Sequence, residues 1–113
     1  MKYKFIALTN PAEGKDEEYE VWTNTQHVPD VLANPGFISA QRFKYCDVKS
    51  TGLPLRWKTA TIYEVETDDP EAFFAMMFAA SQQGRMPMSD SFDSSSAFVG
   101  LFEPITDTIL PRK

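Results

Sequence analysis

Apolar and strand-forming residues run from Tyr3 to Thr9 and are stopped by Asn10-Pro11, which predicts a first strand. From Gly14 to Leu32 the pattern takes a helical period. Asp16, Glu17, Glu18 and Glu20 gather at its front, where the helix dipole favours negative charge. Tyr19, Trp22, Gln26 and Asp30 fall on one stripe, with Val21, Val28 and Leu32 beside it. Pro29 lacks an amide donor and crowds the preceding turn, so a break or kink is expected after His27. Asn34-Pro35-Gly36 signals a turn, and Phe37 to Tyr45 reads as a second strand. Strict alternation puts Phe37, Ser39, Gln41, Phe43 and Tyr45 on one face, and Ile38, Ala40, Arg42 and Lys44 on the other.

Asp47 to Arg56, with Ser50-Thr51-Gly52 and Pro54, reads as a long hairpin loop. Trp57 to Glu66 is a third strand, with Trp57, Thr59, Thr61 and Tyr63 on one face and Ala60, Ile62 and Glu64 on the other. Asp68 or Asp69 caps a second helix that starts at Pro70, carries its apolar stripe on Phe73, Met76, Met77 and Ala80, and stops at Gly84. Met86 to Ser96 is polar, serine-rich and irregular, either a lid or a plain crossover. Phe98 to Phe102 is a fourth strand, ended by Glu103-Pro104. Ile105, Ile109 and Leu110 in the tail suit either packing on a neighbouring subunit or covering the sheet edge.

The order is βαββαβ, an α+β arrangement of the ferredoxin-like kind with a four-stranded antiparallel sheet. Residues 1–113 make one domain, with a core over 1–103 and a tail over 104–113. Two helices cover only one face of such a sheet. Both faces carry large apolar groups, Phe5, Phe43 and Tyr63 against Ile6, Ile38 and Ile62. A second copy of the chain is the simplest cover for the remaining face, so a homodimer through the sheet is expected. Which face meets the helices does not follow from alternation.

A formal charge of -5 disfavours nucleic acid and anionic membrane as partners. The lone Cys46 forms no intramolecular disulfide, and no Cys/His spacing for zinc or another metal is present. The N-terminus has no apolar core of a signal peptide, and no run approaches the ~18 apolar residues of a membrane span, so a cytoplasmic protein is expected. An aromatic fraction of 13% leans towards pockets or interfaces.

HVPDVLANPGF at the end of the first helix, followed by SAQRF in the next strand, resembles the EthD-like branch of the dimeric α/β-barrel proteins. That resemblance implies a ferredoxin-like monomer whose sheet joins another across a two-fold axis. It also implies a small organic molecule, often aromatic or polyketide-like, bound between sheet and helices. Some relatives are cofactor-free oxygenases, cyclases or lactone isomerases, and others bind haem. The chain departs from the haem-degrading relatives in having one histidine in all, and none on its second helix.

His27 is the leading candidate for chemistry, since an imidazole titrates near ~6.5 and suits a general acid or base. Its competing role is a helix C-cap, where His⁺ meets exposed carbonyls. Tyr19 and Trp22 share the helix stripe and serve as pocket wall or as core. Tyr3, Gln41, Thr59, Thr61 and Tyr63 put polar groups among aromatics, as a pocket or a dimer interior requires. Arg42, Lys58, Glu64 and Lys4 would form ion pairs at an edge or between subunits, or Arg42 would hold a carboxylate. The expected activity is that of a small enzyme without cofactor, an oxygenase, isomerase, cyclase or lyase acting on an apolar or aromatic metabolite. His27 would move a proton and Tyr63 or Tyr3 would hold the oxygen. Trp22, Phe43 and Trp57 would form the walls, with Tyr19 and Gln41 as further binding residues. The alternative is a non-catalytic dimeric module that binds a metabolite or supports a partner enzyme.

Overall fold

A computed structural model describes residues 1–48, 52 and 54–112. The centre of the expected 47–56 loop therefore lies largely outside the described residues. Strand β1 (Lys2–Thr9) leads into α1 (Asp16–Trp22), a π-helical turn (Thr23–His27) and α2 (Val28–Leu32), which together make one bent helix. Then follow β2 (Phe37–Lys44), β3 (Thr59–Glu66), α3 (Pro70–Gln82) and β4 (Phe98–Phe102). The strands form one antiparallel sheet in the order β2-β3-β1-β4. This is the expected βαββαβ ferredoxin-like arrangement.

The helices lie on one face. Phe5, Tyr3, Tyr63 and Val65 of the sheet pack with Val31 of α2 and Phe73 of α3 to form the buried core. Phe5 meets Phe37, Tyr63 and Phe73 edge-on at 5.9, 5.7 and 6.3 Å between ring centroids, a geometry that aromatic quadrupoles favour. Helix α3 starts as its sequence dictates. Asp69 is the cap, its Oδ1 accepting the Ala72 N–H at 3.1 Å, and Pro70 follows at the first helical position.

Two irregularities change which side chains face the core. A bulge between Phe37 and Ser39 shifts the register of β2. Phe37 opposite Val65, Ala40 opposite Tyr63 and Arg42 opposite Thr61 then share the helix face, while Gln41 and Phe43 oppose Ile62 and Ala60 on the outer one. The strict alternation expected for this strand therefore fails after its first residue. In the bent helix, the Val28 N–H reaches back five residues to the Thr23 carbonyl, which adds one residue to that turn. The buried stripe consequently runs Tyr19, Trp22, Thr23 and Val31, whereas the expected Gln26 is exposed and Asp30 only half-buried. The irregularity lies before His27 and not after it as expected, and the helix continues through Pro29 to Leu32.

Gly36 occupies φ +95°, and a Cβ there would stand 3.2 Å from Phe73 Cε1 and 3.3 Å from the Glu66 carbonyl oxygen. Gly36→Ala is expected to destabilise the fold by at least about 1 kcal/mol, because the left-handed backbone and the crowding act together. Urea unfolding measures it, and an unchanged midpoint would contradict this account of the turn.

The outer sheet face keeps Ile38, Phe43 and Phe102 substantially exposed. The tail does not cover the sheet within one chain, since Ile105 is 94% exposed and Ile109 81%.

Candidate functional site

A cavity of about 350 Å³ lies between the sheet and the helices, within the range of small-molecule sites. Phe5, Ala7 and Thr9 of β1 and Thr61 and Tyr63 of β3 form its floor. Tyr19, Trp22, Thr23, His27 and Val31 of the bent helix form one wall, and Met77 and Ser81 of α3 stand across from them. Met86, Met88, Phe92, Ala97 and Val99 close the remaining side.

The π turn places His27. The extra residue rotates the helix so that position 27, not 26, follows Trp22 on the inward stripe, and the imidazole lies flat on the indole at 4.7 Å and 22°. His27 does not cap a helix end. The helix runs on to Leu32, and Asn34 Nδ2 donates to the Asp30 and Val31 carbonyls at 3.1 and 3.0 Å, which is the capping role. His27 Nδ1 and Trp22 Nε1 are buried with no hydrogen-bond partner among the described residues. Orphaned polar atoms of this kind are rare in folded proteins, and both belong to residues lining the cavity. Burial pushes the His27 pKa below its ordinary value, Asp30 opposes that effect and Arg42 adds to it. The ring is therefore a neutral base at pH 7. Burial pushes the Tyr63 pKa up, so its phenol stays a proton donor through the neutral range.

The hydroxyls at and beside the cavity divide into two sets. Tyr19 Oη bonds to Thr9 Oγ1, which bonds to Thr59 Oγ1 at 2.9 Å, and Thr59 Oγ1 donates to the Thr9 carbonyl at 3.1 Å. That chain is closed within the protein. Thr61 instead accepts from Arg42 Nε at 3.3 Å. Arg42 is not on the face with Lys4 and Glu64, which pair separately at 3.4 Å. Its guanidinium grips both carboxylate oxygens of Glu20 at 2.7 and 3.1 Å, donates to Asn24 Oδ1 at 3.0 Å and lies over the Tyr19 ring. It is thus committed within the chain. Lys58 likewise pairs with Asp16 of α1 at 3.3 Å.

Of the expected site residues, the structure brings His27, Tyr63, Tyr19 and Trp22 to one cavity. It does not bring Tyr3, Gln41, Phe43 or Trp57 there. Tyr3 is two positions too early on β1 and belongs to the core beside Val65. Gln41 and Phe43 are turned to the outer face by the bulge. Trp57 precedes β3 and donates its Nε1–H to the Ser96 carbonyl at 2.6 Å. Phe92 was hidden in the serine-rich stretch, where a single large apolar residue among polar ones was the available signal. It packs against Tyr19 and Trp22 at 6.4 and 6.2 Å. The segment is fastened by Ala12 N–H to the Ser91 carbonyl at 2.6 Å and by Asp93 N–H to the Asn10 carbonyl at 3.1 Å.

The depressed His27 pKa has a consequence for stability. The unfolded chain binds a proton near pH 6.5, while the folded chain resists it until lower pH. Stability is therefore full above about pH 6.5, falls as pH drops through the window between the two values, and then levels off. His27→Gln is expected to remove this component of the pH dependence, as measured by urea titrations between about pH 4.5 and 7.5. An identical pH slope in the variant would contradict the burial of the ring.

No helix among the described residues is long and apolar enough to cross a membrane, and no group of three or more His, Cys, Asp and Glu among them could hold a metal. Neither a family model nor a curated protein matches the sequence. Solved structures do match. An EthD family protein from Bacillus halodurans is 20% identical, with 93% of this chain and 100% of that one covered and a TM-score of 0.60. A dimeric ferredoxin-like protein of unknown function from Jannaschia sp. is 14% identical, with 92% and 100% covered and a TM-score of 0.60. A variant of MhuD with two manganese protoporphyrin IX molecules bound per active site is 18% identical, with 94% and 97% covered and a TM-score of 0.61. These likenesses show the fold, and the resemblance carried by residues 27–43 is met at that level. A histidine-ligated porphyrin does not fit this chain from α3, which has no histidine, and the sole imidazole lies flat on Trp22.

Proposed function

We propose that this chain is a small cofactor-independent enzyme that removes a proton from a mostly apolar, ring-bearing molecule with a carbonyl or phenol group. The observation that carries the reading is a neutral, half-buried imidazole at an apolar cavity that also holds a protonated phenol. His27 takes the proton on a ring nitrogen, the electron pair stays on the substrate as an enolate or phenolate, and the Tyr63 hydroxyl donates to the oxygen that gains charge. Trp22, Tyr19 and Phe92 offer aromatic surface to a planar ring. Oxygenation, isomerisation, cyclisation and lyase steps all start from such an anion. Proton transfer of this kind contributes about 10²–10⁴-fold in rate.

The working unit is a homodimer, with a second copy covering Ile38, Phe43 and Phe102 on the outer face. The Jannaschia protein of the same fold is dimeric, which supports this assembly. A free Cys46 suits a reducing, cytoplasmic setting.

Deuterium uptake from D2O at the acidic C–H of a panel of aryl ketones, followed by NMR, tests the catalytic reading. Exchange faster than in buffer is expected for at least one member. Tight binding without any exchange would favour the non-catalytic binding module.

A further inference from the structure

We infer that Thr61, with its hydroxyl aimed by Arg42, joins Tyr63 in a two-donor seat for an uncharged carbonyl oxygen, so that the ligand class is a neutral ketone and not a carboxylate. The inference deepens the proton-transfer reading by naming the ligand class of the same cavity. Of the hydroxyls at the cavity, Tyr19 and Thr9 spend their hydrogens in the chain that ends on the Thr9 carbonyl. Thr61 differs because it accepts from Arg42 Nε, a group that can only donate. One lone pair of Thr61 is thereby occupied, and no acceptor for its own hydrogen is present among the described residues. The hydrogen is left to the cavity that Thr61 lines. Tyr63 lies two residues further along β3 on the same face, lines the same cavity and also meets no acceptor among the described residues.

Arg42 is well fixed for this task. Its side chain is only 15% exposed and its other nitrogens are held by Glu20 and Asn24. That bidentate pairing also removes it as a partner for a substrate carboxylate. No cationic side chain among the described residues lines the cavity, so a carboxylate would meet no counter-charge in direct contact, at a high desolvation cost. The adjacent Thr61 and Tyr63 hydroxyls, with no cation among the described lining residues, describe a seat for a carbonyl. Three methionines, Met77, Met86 and Met88, line the cavity and suit an adaptable aliphatic portion. Thr61 is a binding residue in this scheme, and Arg42 a positioning residue that acts through it.

Carbonyl infrared spectroscopy tests the seat without requiring turnover. The probe is para-butylacetophenone labelled with heavy carbon at its carbonyl, and the comparison compounds are para-butylbenzoate and para-butyl-ethylbenzene. The full-length protein is expected to bind the ketone and lower its carbonyl frequency. Thr61→Val should lose part of that shift and weaken binding about 3- to 10-fold, as one net hydrogen bond predicts. Thr61→Ser should restore both. Arg42→Lys keeps the charge but loses the Nε donor, and should lose part of the shift with smaller change in affinity. The benzoate should bind at least about 10-fold more weakly than the ketone. A frequency unchanged in Thr61→Val, a benzoate that binds as tightly, or no binding of the ketone would each overturn the inference. A Thr61-dependent shift without deuterium exchange would uphold the seat while removing the proton-transfer reading.

Discussion

His27→Gln is expected to lower the rate of deuterium exchange in a responsive ketone by about 10²–10⁴-fold, with the fold retained. Glutamine is close in reach to histidine and can hydrogen-bond, but it has no basic nitrogen. The loss should therefore fall on the rate constant, while affinity for the ketone changes little, because the Tyr63 donor and the aromatic walls remain. The wild-type rate should drop on an acid limb whose midpoint lies below about pH 6.5, since burial holds the imidazole neutral. A variant that exchanges at the wild-type rate would remove His27 from the mechanism. Far-UV circular dichroism and the urea midpoint at about pH 7.5 separate this from misfolding, since the near-UV signal changes with loss of the Trp22–His27 stack alone.

Phe73→Ala is expected to cost about 3–5 kcal/mol of stability, the range for truncating a buried aromatic residue. Phe73 is 4% exposed and meets Phe37, Phe74 and Phe5 at 5.1, 6.1 and 6.3 Å. It also faces Gly36, which has no side chain to move into the vacated space. Small domains have about 5–15 kcal/mol in all, so the variant should be partly unfolded or strongly shifted in its melting temperature. Phe78 on the same helix is 68% exposed, and Phe78→Ala should stay within about 0.5 kcal/mol in the monomeric unfolding transition. Similar losses for the two variants would mean that α3 does not dock on the sheet by its Phe73 stripe.

The elements that follow local rules were legible in the sequence. Helix α3 has its cap at Asp69, its proline at position 70 and its Phe73–Ala80 stripe, and β4 spans the expected Phe98–Phe102. What escaped was set by tertiary context. One extra residue in the π turn moved the inward stripe from Gln26 to His27, and one extra residue in the bulge moved Gln41 and Phe43 outward. Neither insertion has a distinctive residue signature, yet each reverses which side chains meet in the cavity. Trp57 looked like strand and pocket wall because aromatics favour both, and its indole N–H instead fastens the crossover at Ser96. Phe92 is the converse, a cavity residue in a stretch that composition marked as polar. The choice between capping and chemistry for His27 rested on side-chain direction, which a helical period alone does not supply.

Because the chain has one histidine, its ring C–H resonances need no assignment, and an NMR titration of them reads out whether His27 is a buried base facing the ligand cavity. An apparent pKa below about 6.5 is expected, with resonances that shift when para-butylacetophenone binds. An apparent pKa at or above that value, with resonances unmoved by the ketone, would contradict a buried base in a ligand cavity.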